Sequence, residues 1–277
     1  MKEINVQNIK ISNQSPITVI AGPCQIENRE HAYRIAAELL DICRDLNMNL
    51  IFKSSFDKAN RSSIYGRRGV GLNFGLNILN EIKTRLGVPV LTDIHEKDHA
   101  QLAKVYEIDV IQIPAFLCRQ TDLLIAAGES GLAINVKKGQ FLAPHDMKNV
   151  AEKISSTGNE RIMLCERGYT HGYNNLVVDM RSLPIMARTE YPIVYDATHS
   201  VQQPGGLGAS SGGDRGMVPY LARAAVATGC LAAVFIECHD DPDLAPSDGP
   251  NMIKMSDMPK LLKDLKSIDE LVKSQCE

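Results

Sequence analysis

The stretch AAVFIECH, residues Ala232–His239, decides the fold because its five apolar residues run directly into Glu237 and His239. Seven other short apolar runs end in the same way, in polar side chains fit for chemistry. They are Ile17–Ile20 before Cys24, Leu50–Phe52 before Lys53, Val88–Leu91 before Asp93 and His95, Val110–Ile111 before Gln112, Ala133–Ile134 before Asn135 and Lys137, Ile162–Leu164 before Glu166 and Arg167, and Ile193–Val194 before Asp196 and His199. The runs recur about every 30 residues, the length of one βαβ unit.

Eight such units that close on themselves form a (β/α)8 TIM barrel, whose active site lies at the carboxyl ends of its strands. At 277 residues the chain fits one large barrel, and no linker divides it. We therefore expect a single catalytic barrel domain over residues 1–277. Residues Lys2–Ser12 are predicted to form a short N-terminal extension, a strand pair or cap over the bottom of the barrel.

Helices are expected between the strands. Residues Asn28–Leu46 show apolar positions at helical spacing, and Met217–Thr228 is a strongly apolar segment. Asp146 is placed to cap the amino terminus of one helix, and Ser256 is predicted to begin the last.

The composition excludes several classes of function. The chain has 30 basic and 33 acidic residues, mixed along its length, for a net charge of −3. Without a basic stripe or tail, no nucleic-acid or membrane surface is expected. No apolar run approaches the roughly 18 residues of a membrane span, and the first residues lack a signal-peptide core. These features predict a cytoplasmic protein.

Seven cysteines form no CxxC pair. We expect them to be reduced thiols, with Cys43 and Cys230 as small core residues and Cys276 in a frayed tail. Cys24 differs because it follows a strand.

Cationic side chains follow several strands. The segment Lys53–Ser63 contains two lysines, one arginine and four serines, and further cations follow other strands at Arg119, Lys137, Lys138 and Arg167. Lysine and arginine form charge-assisted hydrogen bonds to anions, and serine hydroxyls complete their coordination. The pattern predicts one or two anionic substrates, such as phosphates or carboxylates.

A second set of side chains could bind a metal. Cys24, His199, Glu237 and Asp248 follow strands one, seven and eight, which are neighbours in a closed barrel. A thiolate, an imidazole and two carboxylates suit a divalent transition metal such as Zn, Fe, Mn or Co. By spacing alone, two ligands have alternatives: His239 in place of His199, and Asp240, Asp241 or Asp243 in place of Asp248. We expect His31, His99 and His171 at the surface.

Long motifs give a more specific interpretation. They are AGPC at 21–24, FKSSFDKANRSS at 52–63, TDIHE at 92–96, IQIPAFLCRQTDLL at 111–124, NVKKGQF at 135–141, CERG at 165–168, GYNNLVVDMRSLPIM at 172–186 and DATHSVQ at 196–202. Through them nearly the whole chain resembles the 3-deoxy-D-manno-octulosonate 8-phosphate synthases. That family of (β/α)8 barrels condenses phosphoenolpyruvate with arabinose 5-phosphate and water, for lipopolysaccharide biosynthesis.

The resemblance implies roles for particular residues. Phosphoenolpyruvate would be held by Lys53, Lys58, Gln112, Lys137 and Arg167. The pentose phosphate would be held by Asn60, Arg61 and Ser62. Arg119 would reach the sugar phosphate of a neighbouring subunit, which implies an oligomer, predicted here as a homotetramer.

The family has metal-dependent and metal-free classes, and the resemblance implies the metal-dependent one. Its members have Cys, His, Glu and Asp where this chain has Cys24, His199, Glu237 and Asp248, whereas metal-free members have Asn in place of the cysteine. One departure is that the Asp-Gly-Pro at 248–250 follows the metal-free pattern. We give Cys24 more weight than Gly249, because only the thiol can bind metal.

Such a condensation requires that the two substrates be oriented toward each other and that protons be transferred. Carbon 3 of phosphoenolpyruvate is a weak nucleophile that lysine and arginine clamps must position, so Lys58 and Lys137 are assigned as catalytic. His199 is a candidate for proton transfer as well as ligation, and Asp248 is a candidate base near the attacking water.

Two alternative functions stay open. The 3-deoxy-D-arabino-heptulosonate 7-phosphate synthases use the same enol donor with erythrose 4-phosphate, but have Lys-Pro-Arg-Thr-Ser where this chain has Lys58-Ala-Asn-Arg-Ser62. A sugar-phosphate sensor without catalysis is the other alternative, and the retained cations argue against it.

Overall fold

The computed structural model describes residues 1–208 and 211–275 of the chain. Eight parallel strands close into a barrel, because the seventh strand pairs with the eighth and the eighth with the first. The strands are β1 Thr18–Gly22, β2 Leu50–Lys53, β3 Val90–Asp93, β4 Val110–Ile113, β5 Ala133–Lys137, β6 Ile162–Glu166, β7 Ile193–Asp196 and β8 Ala233–His239. The (β/α)8 barrel predicted from the sequence is confirmed.

Eight helices follow the strands and cover the barrel. They are α1 Arg29–Asp45, α2 Leu72–Leu86, α3 Lys97–Val105, α4 Thr121–Glu129, α5 Met147–Ser155, α6 Ser182–Ala187, α7 Val218–Val226 and α8 Met258–Ser274. Asn28 caps α1 as its side chain accepts a hydrogen bond from the backbone N–H of His31 at 2.8 Å.

Asp146 is the N-cap residue of α5, as predicted, but its side chain makes no capping hydrogen bond, because it is the last residue of the 3₁₀ turn Pro144–Asp146 and has helical backbone angles. The predicted start of the last helix needs correction. Ser256 lies inside another 3₁₀ turn, Met255–Asp257, so α8 begins at Met258.

Shorter elements join this frame. They are the hairpins Ile4–Val6 with Ile9–Ile11, Tyr169–Thr170 with Leu176–Val177 and Gln202–Gln203 with Gly212–Gly213, the strand Ile253–Lys254 beside the end of β8, and the 3₁₀ turns Ala115–Leu117, Pro144–Asp146, His199–Val201, Arg215–Met217, Gly249–Asn251 and Met255–Asp257.

The barrel has two apolar layers because successive strand residues face opposite sides. In β1, Val19 and Ala21 pack outward against the helices, whereas Ile20 packs inside the barrel. The inner layer also contains Ile4, Val6, Ile9 and Ile11 of the first hairpin. This hairpin therefore covers one end of the barrel interior, as predicted for the N-terminal extension.

The described cysteines form no disulfide with one another, and Cys276 lies outside the described residues. Cys43 is buried, as predicted, whereas Cys230 is only half-buried in the turn before β8. Among the described helices, none combines the length and hydrophobicity that a membrane span requires.

Candidate active site

A cavity of about 680 Å³ opens where the barrel strands end at their carboxyl termini. It gathers eleven of the residues predicted from the sequence. These are Lys53, Lys58, Asn60, Arg61, Ser62, Gln112, Lys137, Arg167, His199, Glu237 and Asp248. The parallel strands deliver them to one place, since all eight strands point the same way.

Three of the four predicted metal ligands lie close together. The Sγ of Cys24 donates a hydrogen bond to Oδ2 of Asp248 at 3.1 Å, and the ligand atoms of Cys24, Glu237 and Asp248 all lie within 4.8 Å of one another. The register of the barrel explains this, because Glu237 of β8 pairs with Gly22 of β1, two residues before Cys24.

The fourth residue, His199, lies against the group through Glu237. Its Nε2 is 3.6 Å from Oε2 of Glu237, while its Nδ1 is 2.8 Å from Oδ2 of Asp196. The alternative His239 contacts a different carboxylate, with Nε2 at 2.7 Å from Glu27. Geometry therefore favours His199 over His239.

The alternatives to Asp248 also have other partners. Asp240 binds Arg34 at 2.6 Å, and Asp243 binds Arg215 at 2.5 Å. Asp241 accepts a hydrogen bond from the backbone N–H of Asp243 at 3.3 Å. Asp248 is thus the member of the set that faces Cys24.

These donors fit a transition metal. Oε2 of Glu237 is buried and makes no hydrogen bond within residues 1–208 and 211–275, although buried oxygens normally have a partner. Sulfur, imidazole and carboxylate donors together suit a borderline-soft ion rather than Mg or Ca. Three donor residues lie together, and one of them, Glu237, has an oxygen without a hydrogen-bond partner. The group is therefore a candidate metal centre.

Charges around the centre keep its carboxylates ionised. Burial raises the pKa of Glu237, but Lys53, His199 and Lys58 outweigh it and lower that pKa to about 2. The Nζ of Lys53 lies 2.7 Å from Oε1 of Glu237. Burial and the carboxylate of Glu237 instead raise the pKa of the Cys24 thiol well above its usual value.

Two more cations stand in the cavity. Lys137 is paired with the buried carboxylate of Asp196, and its Nζ lies 3.3 Å from the ring centre of Phe235. Burial would lower the pKa of Lys58, but the nearby groups of Cys24 and Glu237 raise it, so this ammonium stays charged. Lys138, by contrast, turns toward Glu166, 3.5 Å away.

Arg167 lines the cavity, and one of its guanidinium nitrogens has no hydrogen-bond partner among the described residues. Its NH2 group binds Oε1 of Gln202 at 2.7 Å, while its Nε is buried without a hydrogen-bond partner among the described residues. Glu166 fixes the turn because its Oε1 accepts the backbone N–H groups of Arg167 and Gly168. A guanidinium held in this way is suited to an anion.

Arg119 lies apart from the cavity. It is exposed in an adjoining groove, which shares His95, Glu96 and Leu117 with the cavity wall. The structure thus separates Arg119 from the other predicted substrate residues, and its role toward a neighbouring subunit stays a prediction.

Residues that the sequence did not assign hold Asp248 in place. Its Oδ1 accepts a hydrogen bond from Gln202 at 2.7 Å, and its Oδ2 accepts one from Ser247 at 2.6 Å. Asp248 has a left-handed backbone, with φ of 54°. A Cβ on Gly249 would lie 2.2 Å from the carbonyl oxygen of Pro242. Packing thus requires this glycine, which gives the Asp-Gly-Pro sequence a reason unrelated to metal class.

Asp93 and Asp196 were visible as strand-end carboxylates but had no assigned role. Asp93 accepts a hydrogen bond from Ser55 and lies 2.8 Å from Nε2 of His95. Their position at strand ends was the available signal. Their histidine partners follow the same strands, but Ser55 and Lys137 come from other strands, so those contacts depend on the barrel register.

The fold and the cavity define a (β/α)8-barrel enzyme with a cationic site beside a candidate metal centre. A sequence model of the DAHP synthetase I family matches residues 2–274. The 2-dehydro-3-deoxyphosphooctonate aldolase of Granulibacter bethesdensis is 60% identical over 98% of this chain and 95% of its own. That of Geotalea daltonii is 58% identical over 99% and 100%. The chain belongs to the 2-dehydro-3-deoxyphosphooctonate aldolases of the DAHP synthetase I family.

Proposed function

We propose that the chain condenses phosphoenolpyruvate with D-arabinose 5-phosphate and water to give 3-deoxy-D-manno-octulosonate 8-phosphate and inorganic phosphate, for lipopolysaccharide biosynthesis. The observation that carries this proposal is the gathering of Lys53, Lys58, Arg61, Lys137 and Arg167 in one cavity. Two phosphorylated substrates need such a concentration of positive charge. The names of the relatives support the same reaction.

Phosphoenolpyruvate would bind deep in the cavity, at Lys53, Lys58, Gln112, Lys137 and Arg167. Lys53 and Lys137 are almost fully buried and are paired with Glu237 and Asp196. Arg167 also lines the cavity, where its guanidinium would donate to a substrate oxygen. These clamps would fix the orientation of carbon 3 toward the aldehyde, which removes much of the entropic barrier.

The pentose phosphate would bind at the more exposed part of the cavity, where Asn60, Arg61 and Ser62 lie in the loop after β2. Arg61 is positioned by hydrogen bonds to the backbone oxygen of Arg67 at 2.9 Å and to Gln25 at 2.9 Å. Two fixed nitrogens leave the remaining donors of this guanidinium for a phosphate.

His199 and Asp248 are suited to moving protons during the condensation. A new bond forms between carbon 3 of the enol and the aldehyde carbon. Water adds at carbon 2, and phosphate leaves with its bridging oxygen. Asp248 would accept a proton from the attacking water, because burial raises its pKa but His199 and Lys58 outweigh it and keep the carboxylate ionised. The aldehyde oxygen gains a proton, which Nε2 of His199 would donate when that nitrogen is not bound to an ion.

Cys24, His199, Glu237 and Asp248 would hold a divalent transition ion, Zn, Fe, Mn or Co. When bound there, such an ion supplies positive charge next to oxygen atoms that become negative in the transition state. The thiol in place of asparagine at position 24 supports the metal-dependent class, and Gly249 is explained by packing.

Release of inorganic phosphate tests the function. With phosphoenolpyruvate present, we expect rapid release with arabinose 5-phosphate and little with erythrose 4-phosphate. Lys58→Met should abolish this release, while Lys104→Met on the exposed face of α3 should not. A similar or higher rate with the four-carbon sugar would assign the chain to the heptulosonate synthases, and no release with either sugar would favour a sensor.

Three parts of the assignment stay predictions from the sequence. They are the single catalytic domain over residues 1–277, the homotetramer with Arg119 at its interface, and the cytoplasmic location.

A further inference from the structure

A second group of metal-binding side chains lies outside the cavity, where the end of β8 meets the start of α1. It consists of Glu27, His31, His239 and Asp240, none of which belongs to the Cys24 centre. The side chains of His31 and His239 are 10% and 7% exposed. His31 was expected at the surface, and this is wrong because the chain after β8 folds over the first turn of α1.

One nitrogen of each imidazole faces the same carboxylate oxygen. Nε2 of His239 lies 2.7 Å from Oε1 of Glu27, and Nδ1 of His31 lies 3.9 Å from that oxygen. One ligand atom from each of these three residues lies within 4.8 Å of the others. Distances of this size leave room for one ion with bonds of about 2 Å.

The other nitrogen of each imidazole faces Asp240. Its Oδ1 lies 3.0 Å from Nε2 of His31 and 3.1 Å from Nδ1 of His239, while Arg34 binds its Oδ2 at 2.6 Å. A carboxylate behind each ligating imidazole is the usual outer partner in metal sites, because it orients the ring and strengthens the nitrogen as a donor. Here one carboxylate serves both rings.

An unpartnered atom points into the group. Nδ1 of His31 is buried and has no hydrogen-bond partner in the part of the chain that the structure describes. A ring that is nine-tenths buried normally satisfies both nitrogens. Since Asp240 accounts for Nε2, the remaining nitrogen lacks the partner that an ion would supply.

We propose that Glu27, His31 and His239 form a second binding site for a divalent transition ion such as Zn²⁺, with Asp240 as the outer carboxylate. Two imidazoles and one carboxylate are typical ligands of Zn, Co and Fe. Without the ion, the backbone N–H of Asp241 donates to Nδ1 of His239 at 2.9 Å, so the ring proton lies on Nε2 toward Glu27. On binding, the ring proton moves from Nε2 to Nδ1, the ion takes its place on Nε2, and Nδ1–H donates to Asp240 in place of accepting from the N–H of Asp241.

The site would join the first and last parts of the barrel. Glu27 and His31 follow β1, whereas His239 ends β8 and Asp240 follows it, so the ion would link the two elements at which the barrel closes. Glu27 is 24% exposed, which leaves a path for the ion and room for a water ligand.

Titration with Co²⁺ tests the proposal separately from the Cys24 centre. Cys24→Ala removes the thiolate, and this protein should bind one Co²⁺ per chain with no sulfur-to-cobalt absorption band. Adding His31→Ala should remove that ion, whereas adding His145→Ala, at an exposed histidine of the turn before α5, should not. Equal binding by the Cys24→Ala protein with and without His31→Ala would overturn the proposal.

A second variant guards against loss of structure. Glu27→Gln keeps the shape of the side chain and removes its charge, so it should fold and bind Co²⁺ at least about tenfold more weakly in the Cys24→Ala protein, since even outer partners change affinity by this factor. At one fixed concentration, Zn²⁺ should raise the thermal midpoint of the Cys24→Ala protein clearly more than that of the Glu27→Gln double variant. An equal rise in both would contradict the site.

Discussion

The carboxylate of Asp196 lies 2.8 Å from Nδ1 of His199, and it also pairs with Lys137. One buried acid therefore orients a candidate metal ligand and a candidate substrate cation. Burial raises the pKa of Asp196, but His199 and Lys137 outweigh it and hold that pKa far below the usual range, so the group stays charged.

Asp196→Asn should weaken metal binding about 10–100-fold, the usual cost of losing an outer partner of a ligating histidine. It should also raise the KM for phosphoenolpyruvate, because Lys137 loses the group that holds it. Metal titration and steady-state kinetics measure the two effects separately. Asp41→Asn, at an exposed position of α1, is the matched control. Unchanged metal affinity in folded Asp196→Asn protein would show that Asp196 does not position His199.

Removal of metal should stop turnover. A strong chelator should abolish phosphate release, and a divalent transition ion should restore it. Cys24→Asn should lower metal affinity by more than about 100-fold, since loss of a direct ligand exceeds the cost of losing an outer partner. The lysine and arginine clamps remain in this variant, so activity that resists the chelator is expected at a reduced level. Metal dependence would be refuted if wild-type protein that is purified without a chelator contains no transition metal and keeps its activity when a chelator is added.

Arg119→Ala should raise the KM for arabinose 5-phosphate about 10–100-fold, the cost of one charge-assisted hydrogen bond. The fold should not change, because this side chain is exposed. Arg188→Ala, a substitution after α6, serves as the control.

Mixed oligomers test whether Arg119 acts in a neighbour's site. Subunits with Arg119→Ala and subunits with Lys137→Ala should recover activity together, because some sites then receive both intact groups. Failure to recover in oligomers of verified mixed composition would place Arg119 at the site of its own chain.

Gly249→Ala should cost about 1–3 kcal/mol of unfolding free energy, because its methyl group overlaps the carbonyl of Pro242. The shift needed to relieve the overlap also moves Asp248, so metal affinity should fall. Chemical denaturation and metal titration measure both losses. The control is Gly216→Ala, where the added Cβ would meet only the flexible side chain of Asp214 at 3.1 Å and no backbone atom. Unchanged metal affinity would show that the packing of Gly249 does not position the metal ligands.

The barrel could be predicted because parallel strands buried on both faces appear in sequence as continuous apolar runs. The cavity followed from the same pattern, since a polar residue such as Lys53 or Glu237 at the end of a run must lie at one rim. The motifs then supplied residues such as Asn60 and Arg61, which no periodicity would single out.

Contacts between loops could not be predicted. Gln202 and Ser247 hold Asp248, but the three meet only because of the path that the chain takes after β7 and β8. For His31, a prediction was made and was wrong. Its place in the first turn of a helix suggested exposure, and only the fold shows Asp240 lying over it.

The closure of the barrel between β1 and β8 also sets the order in which the enzyme matures. Cys24 and Asp248 are 224 residues apart, so the thiol leaves the ribosome long before the facing carboxylate has been translated. No growing chain can hold the ion between these groups until the last strand has been made and has paired with the first. If the Cys24 centre holds an ion as proposed, ion loading is the final stage of biosynthesis, and a cell short of that ion would accumulate finished but inactive barrels.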